Sequence, residues 1–192
     1  AVAYAKAAQK EWVKVPIHER VDYMMKFLDL VERDKEELAR TLSNETGKPI
    51  TEARAEIDNI PIAFKAFSER VKHLYDEVVP AGIEAGQEKT VLITRREPLG
   101  VVVAVIPFNF PCDLFDQKVA PALLSGNAVI VKPSTDNPLT LCMLTQLLGE
   151  AGVTPGAAQI VTGRGSVVGH ELCANPDVDL VTLTGSTQVG IE

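Results

Sequence analysis

The chain predicts an α/β protein: N-terminal helices followed by an incomplete parallel sheet. Two patterns carry that assignment. Apolar residues recur every three or four positions over the first 80 residues or so, the spacing of one face of a helix. From Val101 onward, short β-branched runs alternate with helix-like stretches and are punctuated by Gly and Pro, the signature of strands joined by right-handed crossovers.

Taken in order, Ile17, Val21, Met24, Leu28 and Val31 define an amphipathic helix that Pro16 can start. A second helix is expected over 35–46, closed by Gly47, and Pro49 opens a third. Ile57, Ile60, Phe64, Phe67, Val71 and Leu74 continue the helical period, with a kink or interruption expected at Pro61. A Gly-containing loop over 80–87 precedes an alternating strand at 90–95. Strands are then expected at 101–106, 128–131, 159–161 and 180–184, and helices at 113–124, 139–151 and 167–174, with a last helix opening after Gly185. The chain begins inside a helical pattern and stops at Glu192 just after a strand and turn, so a piece of a longer polypeptide is expected.

Composition excludes several classes. The 192 residues carry a formal net charge of −7, which argues against a nucleic-acid surface, because phosphate binding requires clustered Lys and Arg. No apolar run reaches bilayer length, and no positively flanked hydrophobic segment opens the chain; the expectation is a cytoplasmic protein with no membrane partner. Cys112, Cys142 and Cys173 are odd in number and about 30 residues apart, which indicates neither a disulfide framework nor a zinc site. Cys112 lies near a predicted helix start that can activate a thiol, but a packing role is expected of it. His18 and His73 stand among charged residues without metal-ligand spacing and are expected to be solvated.

The chemistry concentrates where strands end. Pro107-Phe108-Asn109-Phe110-Pro111 follows the strand at 101–106, the place where open α/β sheets bind ligands. An amide there can donate to a developing oxyanion without carrying charge; a turn or helix cap is the other use of such an Asn. Thr162-Gly163-Arg164-Gly165-Ser166-Val167-Val168-Gly169 invites a dinucleotide fingerprint, but Gly169 comes four residues after Gly165 instead of three and Asp179 falls short of the acidic position. A glycine-permitted turn with tight helix packing fits it as well. Gly185-Ser186-Thr187 and Lys132-Pro133-Ser134-Thr135 end two further strands with hydroxyls and an ammonium. Several polar strand ends at one sheet edge outweigh any one alone.

In order and spacing, Glu97-Pro98-Leu99-Gly100, the Pro107–Pro111 run, Ala120-Pro121-Ala122-Leu123, Ser125-Gly126-Asn127, Lys132-Pro133-Ser134 and Thr184-Gly185-Ser186-Thr187 resemble the aldehyde dehydrogenase superfamily over nearly the whole chain. The resemblance implies a Rossmann-like cofactor domain: a helical part over 1–88, an oligomerisation-type strand and crossover over 89–100, and the first part of an NAD(P)-binding sheet over 101–192. It implies oxidation of a small aldehyde, held as a cysteine thiohemiacetal, with NAD or NADP as hydride acceptor. Asn109 then resembles the oxyanion-hole amide and Lys118 a lysine of proton relay. Ile106, Pro107, Phe108, Asn109, Lys132, Ser134, Thr135, Gly165, Gly169, Gly185, Ser186 and Val189 match cofactor-binding positions. Phe110, Leu114 and Gln117 match positions that line the aldehyde path. Thr135 stands where NAD-preferring members often carry Glu, so a 2′-phosphate becomes acceptable. The family's nucleophilic Cys and general-base Glu lie past Glu192, so none of the three cysteines inherits that role, and the chain alone is expected to be inactive. Details resemble branches acting on lactaldehyde, phosphorylated glyceraldehyde or semialdehydes, and relatives of full length form homodimers or homotetramers. A nucleotide-binding or interaction module without catalysis of its own is the alternative.

Overall fold

The computed structural model describes residues 1–191. Three helices come first: α1 (Val2–Trp12), α2 (Ile17–Thr46) and α3 (Ile50–Val71). β1 (Glu77–Val79) and β2 (Leu92–Thr94) form an antiparallel pair. There follow β3 (Val101–Val105), α4 (Pro111–Leu124), β4 (Ala128–Lys132), α5 (Leu139–Glu150), β5 (Ala158–Ile160), a π turn (Gly165–Gly169), α6 (His170–Ala174), β6 (Leu180–Leu183) and α7 (Thr187–Ile191). Strands β3 to β6 make one parallel sheet in the order β5-β4-β3-β6. This is the expected α/β fold.

Alternation along the strands explains the layers. Val101, Val103, Ala128 and Ile130 pack with Ala5 of α1 and Leu172 of α6 on one face. Val102, Ala104, Val129 and Val131 face α4 and α5, which are backed by α2 and α3. Both faces of the central strands β3 and β4 are buried, as their near-continuous apolar runs require, whereas β6 leaves Leu180 and Val181 exposed. The start of β3 is fixed by side chains: Asn127 Oδ1 accepts the Gly100 N–H and Asp179 Oδ2 the Val101 N–H, at 2.9 and 2.8 Å. Gly100 has φ +130°, and a Cβ there would lie 2.2 Å from Asp179 Oδ2, so only glycine fits.

Five expectations change. The helices expected at 17–31 and 35–46 are one 30-residue helix, α2. Neither Gly nor Pro interrupts it, and Val31 and Leu38 are buried on either side of its charged middle. Arg33 and Lys35 of that middle reach Glu150 and Asp58 on neighbouring helices instead of ending α2. Helix α3 runs uninterrupted through Pro61. Ile57, Ile60 and Phe64 are fully buried around it, and at roughly 1.5–3 kcal/mol each their burial outweighs the ~3 kcal/mol that an interior proline costs. The helical region stops at Val71, and β1 was not foreseen: three residues with Val78 exposed offer no period to read. The strand at 90–95 shortens to β2 and pairs antiparallel with β1, Val78 opposite Ile93. The helix expected at 167–174 begins as the π turn, with the Val167 and Val168 N–H groups both donating to the Arg164 carbonyl.

Candidate functional site

Three neighbouring strands end together. Val105 pairs with Lys132 on one side and with Leu183 on the other. Ladder bonds run one residue further, from Ile106 N–H to the Lys132 carbonyl (3.0 Å) and from Thr184 N–H to the Val105 carbonyl (3.3 Å). With adjacent strands ~4.8 Å apart, the segments 106–109, 132–135 and 184–186 leave the sheet side by side. The glycine turn 163–169 leaves the fourth strand, β5, beyond β4. All four candidate segments therefore lie along one carboxyl edge.

At the centre is the loop between β3 and α4. Pro111 occupies the first turn of α4 as expected, and Phe110 is its N-cap without a capping side chain. Phe108, Asn109 and Phe110 are exposed while Ile106 is buried and Pro107 half-buried. Asn109 does not cap the helix: among the described residues its carboxamide makes no hydrogen bond. Its backbone carbonyl accepts from Lys48 Nζ at 3.1 Å, and the Phe108 carbonyl accepts from Asn137 Nδ2 at 2.7 Å. Along α4, Phe110, Leu114 and Gln117 share the less buried side, Leu114 half-buried against the core and the other two exposed. Lys118, one turn after Leu114, flanks that side and is buried. Its Nζ donates to Thr182 Oγ1 of β6 at 2.9 Å, and burial pulls its pKa down.

The second strand end places Lys132 under cover, 4% exposed, where alternation with Ala128 and Ile130 turns it to the α1/α6 face. Its Nζ donates to the Pro133 carbonyl and its pKa is lowered by burial. Ser134 Oγ accepts the Asp136 N–H at 3.3 Å, and Thr135 is exposed. In the glycine turn, the strained position is Gly163, with φ +141° and a Cβ path into Val168. A Cβ at Gly165 or Gly169 would meet nothing within 4 Å, so tight helix packing does not account for these two glycines. Gly185 is exposed, Ser186 Oγ accepts the Val189 N–H at 3.3 Å, and Val189 is exposed.

Sequence reasoning missed the groups beneath the loop. Glu56, 3% exposed on α3, contacts Lys48 Nζ and accepts the Cys112 N–H at 2.8 Å. The signal was present: an acid within the buried run Ala53, Ile57, Ile60. Asn137 and Asp116 are buried, each with an Oδ1 that has no partner among the described residues. Glu45 accepts the Leu139 and Thr140 N–H groups at the start of α5. Cys112 is fully buried, and its thiol pKa is raised, first by burial and then by Glu56. The packing role expected of it accords with this, and the helix start does not activate it. His18 and His73 are exposed, as expected, although His73 Nδ1 lies 2.6 Å from the Tyr75 hydroxyl. No cluster of three His, Cys, Asp or Glu side chains that could hold a metal ion occurs among the described residues, and no helix there is long and apolar enough to cross a membrane.

A parallel sheet with helices on both faces and polar segments along its carboxyl edge defines the open α/β class that binds ligands at that edge. The chain belongs to the aldehyde dehydrogenase family, whose pattern it matches over residues 1–192. It is 38% identical to 3-sulfolactaldehyde dehydrogenase of Priestia aryabhattai, over 99% of this chain and 39% of that protein. The crystal structure of NADP-dependent glyceraldehyde-3-phosphate dehydrogenase from Bacillus halodurans C-125 complexed with NADP superposes with a TM-score of 0.95 at 38% identity, covering 99% of this chain and 40% of that one. An NAD-dependent aldehyde dehydrogenase from Sinorhizobium meliloti superposes with a TM-score of 0.92 at 34% identity, over 99% and 38%. The chain thus spans about 40% of the length of these relatives.

Proposed function

We propose that this chain supplies the NAD(P) cradle and the oxyanion amide of an aldehyde dehydrogenase that oxidises a small aldehyde to its acid. The observation that carries the proposal is the exposed, unpaired Asn109 carboxamide at the centre of a carboxyl edge where four polar segments meet. The edge fits a dinucleotide. Gly165 and Gly169 leave open room that a Cβ would fill, the backbone of the turn is exposed, and Lys132 supplies an ammonium from below. Ile106 to Asn109, Ser134, Thr135, Gly185, Ser186 and Val189 are the further contacts. When bound, the dinucleotide supplies the hydride acceptor.

The chain's own residues then do three things. Asn109 donates its amide N–H to the oxygen that gains charge as a thiolate adds to the aldehyde carbon, the step at which such a donor contributes most. Phe110, Leu114 and Gln117, in one stripe on α4, line the approach of the aldehyde. Lys118, its pKa lowered by burial, gives up a proton more readily than a surface lysine. The thiolate and the general base come from outside these residues, and residues 1–88, 89–100 and 101–192 serve as helical part, linking strand and cofactor sheet of one cofactor domain. The β1–β2 pair, with Val78, Leu92 and Ile93 exposed, is the surface for assembly into a homodimer or homotetramer.

One structural relative is complexed with NADP and another is NAD-dependent, and the two cofactors divide on Thr135. Thr135 adds no charge against a 2′-phosphate, but Asp136 places a carboxylate oxygen 3.5 Å from Ser134 Oγ, which opposes one. Calorimetric titration of the chain tests the proposal. Trp12 is buried against the Leu123 carbonyl and is a poor fluorescent reporter. Binding of NADP+ or NAD+ is expected, weakened roughly tenfold or more by Lys132→Ala and by Gly165→Val; absence of binding to both cofactors would defeat the reading. A second reading, a nucleotide-binding module without catalysis, describes the chain taken alone, because its most site-proximal thiol, Cys112, is buried.

A further inference from the structure

The loop that carries Asn109 is held from below by one ion pair. Lys48 lies in the turn between α2 and α3, its side chain 12% exposed, and its ammonium contacts the buried Glu56 carboxylate. Both partners reach further. Lys48 Nζ donates to the Asn109 carbonyl at 3.1 Å and sits 4.8 Å from the Phe110 ring centroid. Glu56 accepts the Cys112 N–H at 2.8 Å, an amide of the first turn of α4 that has no partner within the helix. Backbone groups of residues 109 and 112 are therefore pinned by one pair, while the Asn109 side chain is left free. Asn137 holds the Phe108 carbonyl from a third element.

The charges matter as much as the geometry. A buried carboxylate alone beside this loop would oppose negative charge developing at Asn109, whereas the pair is neutral and still offers a charge-assisted acceptor to the helix amide. Resting on the reading of Asn109 as an oxyanion donor, we propose that Lys48 and Glu56 are positioning residues that fix the backbone of 108–112 and so aim the Asn109 carboxamide. Neither touches substrate.

Amide hydrogen exchange on the 15N-labelled chain tests this, with the Cys112 amide proton shift as a second readout. Lys48→Met is expected to speed exchange at Cys112 and at Leu114, whose N–H donates to the Phe110 carbonyl, by roughly tenfold or more relative to Val103 and Ile130 of the sheet. Lys48→Arg, which keeps the cation, is expected to restore both amides to within about threefold of the parent rates. Glu56→Gln keeps the shape and a neutral acceptor, so the Cys112 proton should move upfield while the sheet amides hold their rates. Unchanged exchange at Cys112 and Leu114 in Lys48→Met, a rise no greater than at Val103 and Ile130, or failure of Lys48→Arg to restore these two amides would overturn the proposal. If Lys48→Met does not fold, Lys48→Arg and Glu56→Gln decide: an unmoved Cys112 proton in Glu56→Gln refutes it. None of these readouts involves cofactor or turnover, so loss of cofactor binding refutes the functional reading alone and leaves the clamp standing.

Discussion

Asp116 shows how much a single side chain on the site helix departs from its type. It is 1% exposed with Oδ1 unpartnered among the described residues, and its pKa is pushed up to about 8, first by burial and then by Asp113. In the unfolded chain the same carboxyl titrates near its ordinary value of about 3.9. Between these values the folded state holds a proton that the unfolded state has released, so this group's contribution to stability is fully present below about pH 4 and is lost as pH rises to about 8. Asp116→Asn removes the titration. The variant should gain on the parent protein as pH rises from about 4 to about 9, by an amount on the order of 2–5 kcal/mol, since a tenfold change in proton affinity is worth about 1.4 kcal/mol. Urea unfolding of both proteins across that range measures the gain. Parallel stability curves would mean that Asp116 is ionised in the folded protein and paired in some other way.

Elements whose ends carry backbone signals were legible, and elements decided by tertiary contact were not. Gly47 closes α2 as the sequence indicated, with φ +74° and its N–H donating to the Ser43 carbonyl at 2.9 Å. A Cβ there meets nothing within 4 Å, so Gly47→Ala should cost only the left-handed backbone, about 1 kcal/mol. A denaturation midpoint lowered at constant m-value would register that cost; an unchanged midpoint would mean that the cap is not needed. Pro111 at the start of α4 was legible for the same reason. The continuity of α2 through Arg33 and Lys35, and of α3 through Pro61, depends on what is buried beside them, which local periodicity does not contain. The four strand ends of the candidate site were readable because Gly or Pro, with a polar residue, ends each apolar run. The layer beneath them was not. Glu56 reads as an interruption of an apolar stripe until Lys48, eight residues earlier, and the Cys112 amide, 56 later, are seen beside it.

At the scale of the whole molecule, the sheet gathers its polar residues at one edge, where the one nearby thiol among the described residues is buried. Cys112 is buried beneath the loop and Cys142 is half-buried, both with raised pKa values, while Cys173 is exposed on α6, on the crossover between β5 and β6. A thiol nucleophile must be a thiolate and must be reachable, and Cys112 meets neither condition. The net charge of −7 further opposes a dinucleotide at long range, so the proposed binding relies on the local ammonium and backbone amides of the edge. The chain should therefore bind NADP+ or NAD+ yet show no aldehyde-dependent formation of NADPH or NADH, measured by the absorbance of the reduced cofactor. Thiol labelling under native conditions should modify Cys173 first and Cys112 only after unfolding. Turnover that survives Cys173→Ala but is abolished by Cys112→Ser would reverse the assignment of Cys112 to packing and would place the nucleophile inside these 192 residues. Absent turnover with intact cofactor binding would instead locate the chemistry where Asn109 points, in a thiol that this sheet edge receives and does not itself supply.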